Sequence, residues 1–426
     1  MGEEKSYLAW MLDVLKRSVE LGGFPEEVYH ILSKPERVLA VSIPVRMDNG
    51  KLVVFEGYRV QHSSALGPYK GGVRFHPEVD LETDIALALG MTLKNSLSGL
   101  PYGGGKGAVK VDPTKLSPGE LERVSRGYVR AIAPLIDDEL DIPAPDVGTN
   151  PQIMIWMIDE YSKIRGRNVP GVFTGKPPEL WGDPVRPYST GYGVAVVARE
   201  IANRFLGGLE GLRVAIHGFG NVGSNAARFL SKFGAKIVAV SDLPGTLYNP
   251  NGLDVEKMIQ LVQRAGGVKG LMEYSEPGTS KTASTEDALY ADVDILVPAS
   301  IENVININNA HKVKAKIIVE GANGPTTADA EKILYEKGTI IIPDILANAG
   351  GVIVSYLEWV ENLQWFWWGE EETLKRLENI MINNVKRLLA SYDKYSSSRG
   401  VKTYRETAFI LAVERLYRAM KLRGWI

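Results

Sequence analysis

Residues 213–242 read RVAIHGFGNVGSNAARFLSKFGAKIVAVSD, and this stretch decides the fold of the second half of the chain. A short apolar run, typical of a buried strand, is followed by glycines spaced as GxGxxG, a helical segment and a second apolar run. In such a turn the glycines allow a tight bend, a close approach of pyrophosphate to the backbone, and packing of the helix on the sheet. The stretch therefore predicts a dinucleotide-binding βαβ unit. The residues expected to contact the cofactor are Gly218, Gly220, Asn221, Val222 and Gly223.

Asp242 ends the second apolar run, nineteen residues after Gly223. An acidic side chain at this position can accept hydrogen bonds from the ribose hydroxyls of adenosine, and it repels a 2′-phosphate. The next residues, Leu243 and Pro244, supply no cation to compensate. We therefore expect NAD as the cofactor in preference to NADP, unless a cation from another part of the chain lies beside Asp242.

Further apolar runs follow in the second half of the chain, and helical stretches separate them. The runs are VDILVPAS, KIIVEGA and TIIIPDI. Short apolar strands that alternate with helices indicate βαβ units and a parallel sheet. An irregular stretch at 166–189, rich in glycine and proline, separates this half from the first. The expected fold class is α/β with two domains, an N-terminal α/β domain and a Rossmann-like domain.

Composition excludes several classes of function. The 426 residues contain no cysteine and five scattered histidines, so we expect no metal site. A net charge of −2 gives no basic excess for nucleic acid, and no apolar run is long enough to span a membrane. We expect a cytoplasmic protein that binds neither nucleic acid nor membrane.

The first half begins with helical spacing at 7–22 and continues with a β-hairpin at 37–62 and helices at 81–98 and 117–136. Residues 100–109, LPYGGGKGAV, surround one lysine with glycines. The stretch is not a phosphate-binding P-loop, because Leu100 and Gly107 stand where that motif needs a glycine and a hydroxyl residue. A tight turn with a solvated lysine is the simplest alternative for this segment taken alone.

Eight ordered motifs give the chain a specific resemblance. They are KGGVRF, GMTLKNSL, LPYGGGKG, PAPDVGT, STGYG, HGFGNVG, EGANGPTT and NAGGVIVSYLEW. Together they resemble the glutamate dehydrogenase branch of the amino-acid dehydrogenase family, over roughly residues 40–370. Ser189 is a small departure, since many relatives have alanine before the Thr-Gly pair.

The resemblance implies roles for individual residues. Lys106 would be the catalytic lysine and Asp146 the proton relay, while Lys94 would hold the α-carboxylate of the substrate. The remaining residues fall in two groups, one for the side-chain carboxylate and one for the nicotinamide end of the cofactor. They are Lys70, Ser355 and Arg186 in the first group, and Thr190, Asn323 and Asn348 in the second.

The resemblance also implies an activity and an organisation. The expected reaction is reversible oxidative deamination of L-glutamate to 2-oxoglutarate and ammonia, with hydride transfer to NAD. The expected organisation is a substrate-binding and oligomerisation domain at 1–183, a dinucleotide domain at 184–400, and a C-terminal helix at 401–426 that returns to the first domain. The active site would lie in the cleft between the domains of a homohexamer subunit.

The residue chemistry agrees with a dicarboxylate substrate, because such a substrate needs a cation at each end and buried charges must be paired. A lysine that is partly desolvated and near other cations can work in its neutral form near pH 7. Two alternatives remain. A dehydrogenase for leucine or phenylalanine would not tolerate a cation at Lys70 in its side-chain pocket. A non-catalytic nucleotide sensor would not need Lys94, Lys106 and Asp146 together.

Overall fold

The computed structural model describes residues 6–426, and within this range the chain forms thirteen α-helices and twelve β-strands. The helices are α1 (Tyr7–Gly22), α2 (Glu26–Leu32), α3 (Leu81–Leu97), α4 (Pro118–Ile132), α5 (Pro151–Arg165), α6 (Ser189–Phe205), α7 (Asn221–Lys232), α8 (Val255–Arg264), α9 (Ala328–Glu336), α10 (Asp344–Ala347), α11 (Gly350–Gln364), α12 (Glu370–Arg399) and α13 (Tyr404–Leu422). The strands are β1 (Arg37–Arg46), β2 (Leu52–Ser63), β3 (Tyr69–His76), β4 (Gly104–Lys110), β5 (Asp141–Pro145), β6 (Arg213–His217), β7 (Lys236–Asp242), β8 (Gly245–Tyr248), β9 (Ser280–Thr282), β10 (Ile295–Pro298), β11 (Ile317–Val319) and β12 (Ile340–Ile342).

The chain divides into two compact units, each built around its own sheet. Unit 1 takes the chain up to Arg186, together with Val352–Thr373 and Phe409–Ile426. Unit 2 takes Pro187–Gly351 and Leu374–Ala408. The predicted two-domain α/β class is confirmed. Within residues 6–426, no helix combines the length and apolar content that crossing a membrane would require.

Unit 1 contains a five-stranded sheet in the order β1-β2-β4-β3-β5. The predicted hairpin is confirmed, since β1 and β2 pair antiparallel from Arg37 opposite Gln61 to Arg46 opposite Leu52. β4 pairs antiparallel with β2 and parallel with β3. Buried side chains of β3 and β4 form one apolar core with α4 and α5 on one face of this sheet. The opposite face of the sheet is covered by α3. The charged groups of the candidate active site lie on that face.

Unit 2 contains a seven-stranded sheet in the order β12-β11-β10-β6-β7-β8-β9. The five strands predicted from their apolar runs pair in parallel, and β8 and β9 add an antiparallel extension. The extension escaped prediction because both strands are short and β9 is exposed. The strand order reverses at β6, between β7 on one side and β10 on the other. Ligands of open α/β sheets bind at the carboxyl ends of strands at such a reversal.

Candidate active site

The glycine-rich stretch around Lys106 is a strand. β4 lies between β2 and β3, and none of its glycines adopts a positive φ. The glycines are needed because neighbouring atoms leave no room for a Cβ. A Cβ would lie 2.0 Å from Thr92 Oγ1 at Gly104 and 2.3 Å from the Tyr128 hydroxyl at Gly107. A turn with a solvated lysine, the simplest alternative, is therefore wrong, and Lys106 is carried on a central strand packed on both faces.

Strand alternation decides which face carries Lys106. Successive side chains of a strand point to opposite faces, so Lys106 shares a face with Gly104 and Ala108. The contact of Gly104 with Thr92 identifies this as the face that α3 covers. Ala108 lies there in a small apolar cluster with Tyr58 and Val79, against which Leu81, the first residue of α3, packs.

Lys106 and Asp146 meet on the α3 face. Their side chains form an ion pair and are 7% and 19% exposed. Arg74 of β3 approaches the same carboxylate, with Nε 3.5 Å from Asp146 Oδ2. Burial alone would raise the pKa of the Asp146 carboxyl, but Lys106 and Arg74 hold this pKa below its ordinary value. Asp146 is thus ionised and held against Lys106, as a proton relay requires.

The backbone around Asp146 is fixed by Thr149. The amide of Asp146 donates to Thr149 Oγ1 at 2.8 Å, and that hydroxyl donates to the carbonyl of Val73 at 2.9 Å. Sequence reasoning missed both Thr149 and Arg74. The sequence did contain a pattern that could have identified Arg74. In KGGVRF it lies two residues after Gly72, and residues two apart in a strand point to the same face.

Lys70 lies in β3 and is only 1% exposed. Its ammonium donates to Thr174 Oγ1 at 2.8 Å and to the carbonyl of Ile142 at 3.2 Å. Among the residues that the structure describes, no carboxylate forms an ion pair with it. Burial and the guanidinium groups of Arg59 and Arg186 hold the pKa of Lys70 well below its ordinary value. An anion bound beside Lys70 would act against both effects and stabilise the ammonium form.

Arg186 and Ser355 join this cationic region of unit 1. Arg186 Nε donates to Ser355 Oγ at 3.2 Å, and Ser355 is buried. Burial lowers the pKa of Arg186, while Glu358 acts in the opposite direction. The Glu358 carboxylate already accepts from the Lys176 ammonium at 2.7 Å and from the amide of Gly175 at 2.9 Å, so its charge is paired with Lys176.

Lys94 is half-buried near the end of α3. Met91 lies three residues before Lys94 on α3, and its side chain lies against Gly71 of β3. A Cβ built on Gly71 would be 3.2 Å from Met91 Cγ. The cationic residues predicted for the substrate thus all belong to unit 1.

The glycine turn of unit 2 has the predicted geometry. Gly218 follows β6 with φ +96°, and α7 begins at Asn221. A Cβ on Gly223 would lie 1.8 Å from the carbonyl oxygen of Gly218, so helix and turn pack closely. A Cβ on Gly220 would meet nothing within 4 Å. That open space beside the helix N-terminus fits a pyrophosphate.

Asn221 and Val222, the two predicted residues that open α7, contact neighbouring loops of unit 2. The Asn221 side-chain amide donates to the carbonyl of Pro187 at 2.8 Å, which ties the turn to the chain preceding α6. Val222 is half-buried, and its Cγ1 would lie 3.4 Å from a Cβ built on Gly321, in the loop after β11. These two contacts fasten the first turn of α7 beside the open space at Gly220.

Asp242 lies at the end of β7, beside the turn. Its Oδ2 accepts from the amide of Phe219 at 2.6 Å, and its Oδ1 accepts from the amide of Leu243 at 2.7 Å. Each carboxylate oxygen has two lone pairs, so both retain capacity for a ribose hydroxyl. The carboxylate therefore also orders the glycine turn, a function that sequence reasoning did not anticipate.

Asn323 and Asn348 are joined in unit 2, where Asn348 Nδ2 donates to Asn323 Oδ1 at 2.9 Å. Gly324 is held by Asp344 Oδ2 at 2.8 Å, and Asp344 in turn meets Arg405 at 3.3 Å. Sequence reasoning missed Arg405, which also pairs with Glu320 and Glu331. Thr190, the remaining predicted residue, is half-buried in the first turn of α6. No group of three or more histidine and acidic side chains among residues 6–426 is arranged to hold a metal ion.

The fold and these sites define a two-domain α/β protein with a dinucleotide-binding turn in one unit and a lysine-carboxylate pair in the other. The sequence model for Glutamate/Leucine/Phenylalanine/Valine dehydrogenase matches residues 182–424, and that for the Glu/Leu/Phe/Val dehydrogenase dimerisation domain matches residues 35–163. The chain belongs to the Glu/Leu/Phe/Val dehydrogenase family.

Individual relatives are similar over their full length. The chain is 59% identical over 426 residues to the NADP(+)-dependent glutamate dehydrogenase of Pyrobaculum calidifontis, covering 100% of both chains. It is 45% identical over 428 residues to the catabolic NAD-specific glutamate dehydrogenase of Bacillus subtilis, covering 100% of this chain and 98% of that one. The glutamate dehydrogenase structure of Peptoniphilus asaccharolyticus matches with a TM-score of 0.89 and 41% identity, over 99% of this chain and 100% of that one. The hetero-hexameric glutamate dehydrogenase of Thermus thermophilus matches with a TM-score of 0.90 and 36% identity, over 100% of this chain and 98% of that one.

Proposed function

We propose that the protein is a glutamate dehydrogenase that catalyses the reversible oxidative deamination of L-glutamate to 2-oxoglutarate and ammonia. The observation that carries this substrate is Lys70, a fully buried ammonium without a carboxylate partner among the described residues. The side-chain carboxylate of glutamate would supply the missing counter-ion, with Ser355 and Arg186 beside it. Lys94 would hold the α-carboxylate.

The chemistry falls to Lys106 and Asp146. When bound, the dinucleotide accepts the hydride that leaves the α-carbon, so the substrate becomes an iminium. Lys106 in its neutral form would take a proton from water, which then attacks the iminium carbon. Asp146 would pass that proton from Lys106 to the amino group of the resulting carbinolamine. As ammonia departs, the Asp146 carboxylate would take the hydroxyl proton, so that the carbonyl of 2-oxoglutarate forms. The ion pair between the two side chains supports this relay.

Unit 2 would hold the dinucleotide. Gly218, Gly220 and Gly223 would receive the pyrophosphate, while Thr190, Asn323 and Asn348 would lie at the nicotinamide end. We propose NAD as the preferred cofactor because Asp242 retains acceptor capacity for ribose, and no lysine or arginine of the described chain forms an ion pair with it. NADP is the alternative, since relatives of both preferences are similar to this chain.

The division of labour along the chain is part of the proposal. Residues 1–183 would bind substrate, with Arg186 and Ser355 added from the later segments of unit 1, and would carry subunit contacts. Residues 184–400 would otherwise bind the dinucleotide, and the helix at 401–426 would return to the first domain. The proposed assembly is a homohexamer. The match of residues 35–163 to a dimerisation domain supports contacts between subunits, and the hetero-hexameric relative from Thermus thermophilus supports the number six. Light scattering on the purified protein would give the subunit number, and a stable monomer would contradict the proposal.

Steady-state rates test the substrate and the cofactor together. Reduced nicotinamide would be followed with NAD⁺ and NADP⁺ separately, using glutamate, leucine and phenylalanine as substrates. We expect turnover with glutamate and a higher kcat/KM with NAD⁺. Leucine as the best substrate would show an apolar amino-acid dehydrogenase. Dinucleotide binding without turnover of any amino acid would show a nucleotide sensor.

Lys70→Met tests the carrying observation directly, because methionine keeps an apolar stem and removes the charge. We expect kcat/KM for glutamate to fall about 100-fold, as loss of one buried charge pair costs on the order of 3 kcal/mol. Lys110→Met is the matched control, since Lys110 ends β4 and is exposed. An unchanged kcat/KM in Lys70→Met would remove Lys70 from the substrate pocket.

A further inference from the structure

Asp84 is a buried acid to which the mechanism gives no role. It lies in the first turn of α3 and is 2% exposed. Its Oδ2 is shielded from solvent and has no hydrogen-bond partner among residues 6–426. Burying a carboxyl oxygen without a partner is unfavourable, and an unsatisfied group of this kind in a native structure calls for an explanation.

The position of Asp84 brings it to the face of the sheet that carries Lys106. Leu81, one turn earlier on α3, packs against the apolar cluster that contains Ala108, and Thr92 lies against Gly104. Asp84 stands between these two contacts on the helix, and Lys106 stands between Gly104 and Ala108 on the strand. Helix and strand therefore place Asp84 over the region of the Lys106–Asp146 pair.

Charged and titratable groups from every neighbouring element act on Asp84. They are Lys106 of β4, Arg59 and Tyr58 of β2, Arg74 of β3, Tyr128 of α4 and Asp146 after β5. α1 contributes an apolar contact, with Met11 at Gly90. Arg59 is neutralised by its own partner, Asp141. The remaining cluster has two cations, Lys106 and Arg74, and two acids, Asp146 and Asp84.

We propose that Asp84 is a positioning residue for the reaction, which sets the net charge of the Lys106–Arg74–Asp146 cluster by gaining or losing one proton. With Asp84 ionised, the cluster is neutral and the ammonium form of Lys106 is stabilised. With Asp84 protonated, the cluster carries one positive charge and the neutral, water-activating form of Lys106 is favoured. The proposal rests on the proposed roles of Lys106 and Asp146.

The titration of Asp84 falls where an enzyme can use it. Burial raises the pKa of Asp84 to about 7, although Lys106 and Arg59 act in the opposite direction. Because the folded protein holds this proton more tightly than the unfolded chain, Asp84 makes the fold less stable as pH rises from about 4 to 7. Asp84→Asn removes that loss.

The test is the pH dependence of kcat in Asp84→Asn. The wild type carries the negative charge of Asp84 above about pH 7 and the variant does not, so the part of the acidic limb above pH 7 should move to lower pH by up to about one unit, as expected for a unit charge several ångströms away at an effective dielectric constant near 20. Glu82→Gln is the matched control, because it removes the same charge from an exposed position two residues away and should leave the limb in place. Asp84→Ser removes the charge with a smaller side chain and covers the case in which the asparagine variant does not fold.

Two results would overturn the proposal. One is a lower kcat with an unshifted profile in both Asp84 variants, which a purely structural role predicts. The other is an equal shift in Glu82→Gln, which long-range charge alone would explain. As a second measurement, the melting temperature of Asp84→Asn should rise relative to the wild type between pH 5 and 8, and a constant difference would contradict a buried titration. Full kcat in Lys106→Ala would instead refute the proposed function and leave the melting result standing.

Discussion

The two faces of the five-stranded sheet carry similar ion pairs with different surroundings. On the α4 face, Arg59 Nε donates to Asp141 Oδ2 at 2.9 Å, a second guanidinium nitrogen donates to Oδ1, and both side chains are 0% exposed. Gln61 adds a bond to Asp141 at 2.9 Å, and Arg59 also donates to the carbonyl of Gly71 at 3.2 Å. On the α3 face, Lys106 and Asp146 remain partly exposed and share no comparable set of partners.

The difference separates structural from reactive charge. A pair whose hydrogen-bonding capacity is filled within the chain has no capacity left for a substrate, and removing one partner leaves an uncompensated buried charge. A pair with unfilled capacity can exchange protons with a ligand. Two further positions belong to this second, incomplete group. Lys70 is buried with no carboxylate ion-paired to it within residues 6–426, and Gly220 lies beside open space. The distinction predicts which substitutions affect turnover and which affect stability.

Lys106→Ala should have the largest effect on activity. We expect kcat to fall on the order of 1,000-fold, because the water-activating group is lost, with the melting temperature little changed. Asp146→Asn should give a loss of similar size. Stopped-flow and steady-state rates would measure both, with Lys110→Ala, an exposed lysine of the same strand, as control. If either variant retained most of its kcat, the Lys106–Asp146 pair would not be the reactive one.

Arg59→Met should reverse this pattern. The free energy of unfolding should fall by about 3–5 kcal/mol, since Asp141 is left buried without its ion-pair partner, while the kcat of the folded fraction should fall far less than in Lys106→Ala. Urea denaturation at fixed protein concentration would measure the change. Arg59→Met combined with Asp141→Leu should recover much of the stability, because both charges are then absent. Failure to recover would mean that packing of Arg59, and not its charge, supports the sheet.

Local sequence patterns predicted much of this fold. The strands of unit 2 and the glycine turn depend on periodicity and spacing within about 30 residues, and 213–242 displays both. β4 was not predicted because glycine is depleted in strands. Its glycines are required by the close approach of Thr92 and Tyr128, which only the folded chain brings near. The pair between Arg59 and Asp141 joins residues 82 positions apart, and no local signal marks it.

The predicted site residues came from motifs, and the structure supplies their partners. Lys106 and Asp146 are forty residues apart in the sequence, so only the folded chain shows that their side chains form an ion pair. Sequence patterns did not identify Arg74, Thr174 and Asp84, because the role of each depends on the residues that it meets in the folded chain. Their side chains point into an interior whose geometry depends on how α3 and the sheet pack.

The glycine turn of unit 2 gives the smallest and sharpest test of the same distinction. Gly223 is packed, so Gly223→Ala forces a Cβ against the carbonyl of Gly218 and should lower the melting temperature even without dinucleotide. Gly220 has φ −73°, which alanine adopts readily, and open space around it. Gly220→Ala should therefore keep the wild-type melting temperature while the Kd for NAD rises about tenfold, equivalent to roughly 1.4 kcal/mol. Calorimetric titration and thermal denaturation of both variants would separate the two effects. Wild-type affinity in Gly220→Ala would mean that the pyrophosphate does not occupy the space beside this glycine. Loss of stability in both variants would mean that both glycines are packed in the turn and that neither position is left open for a ligand.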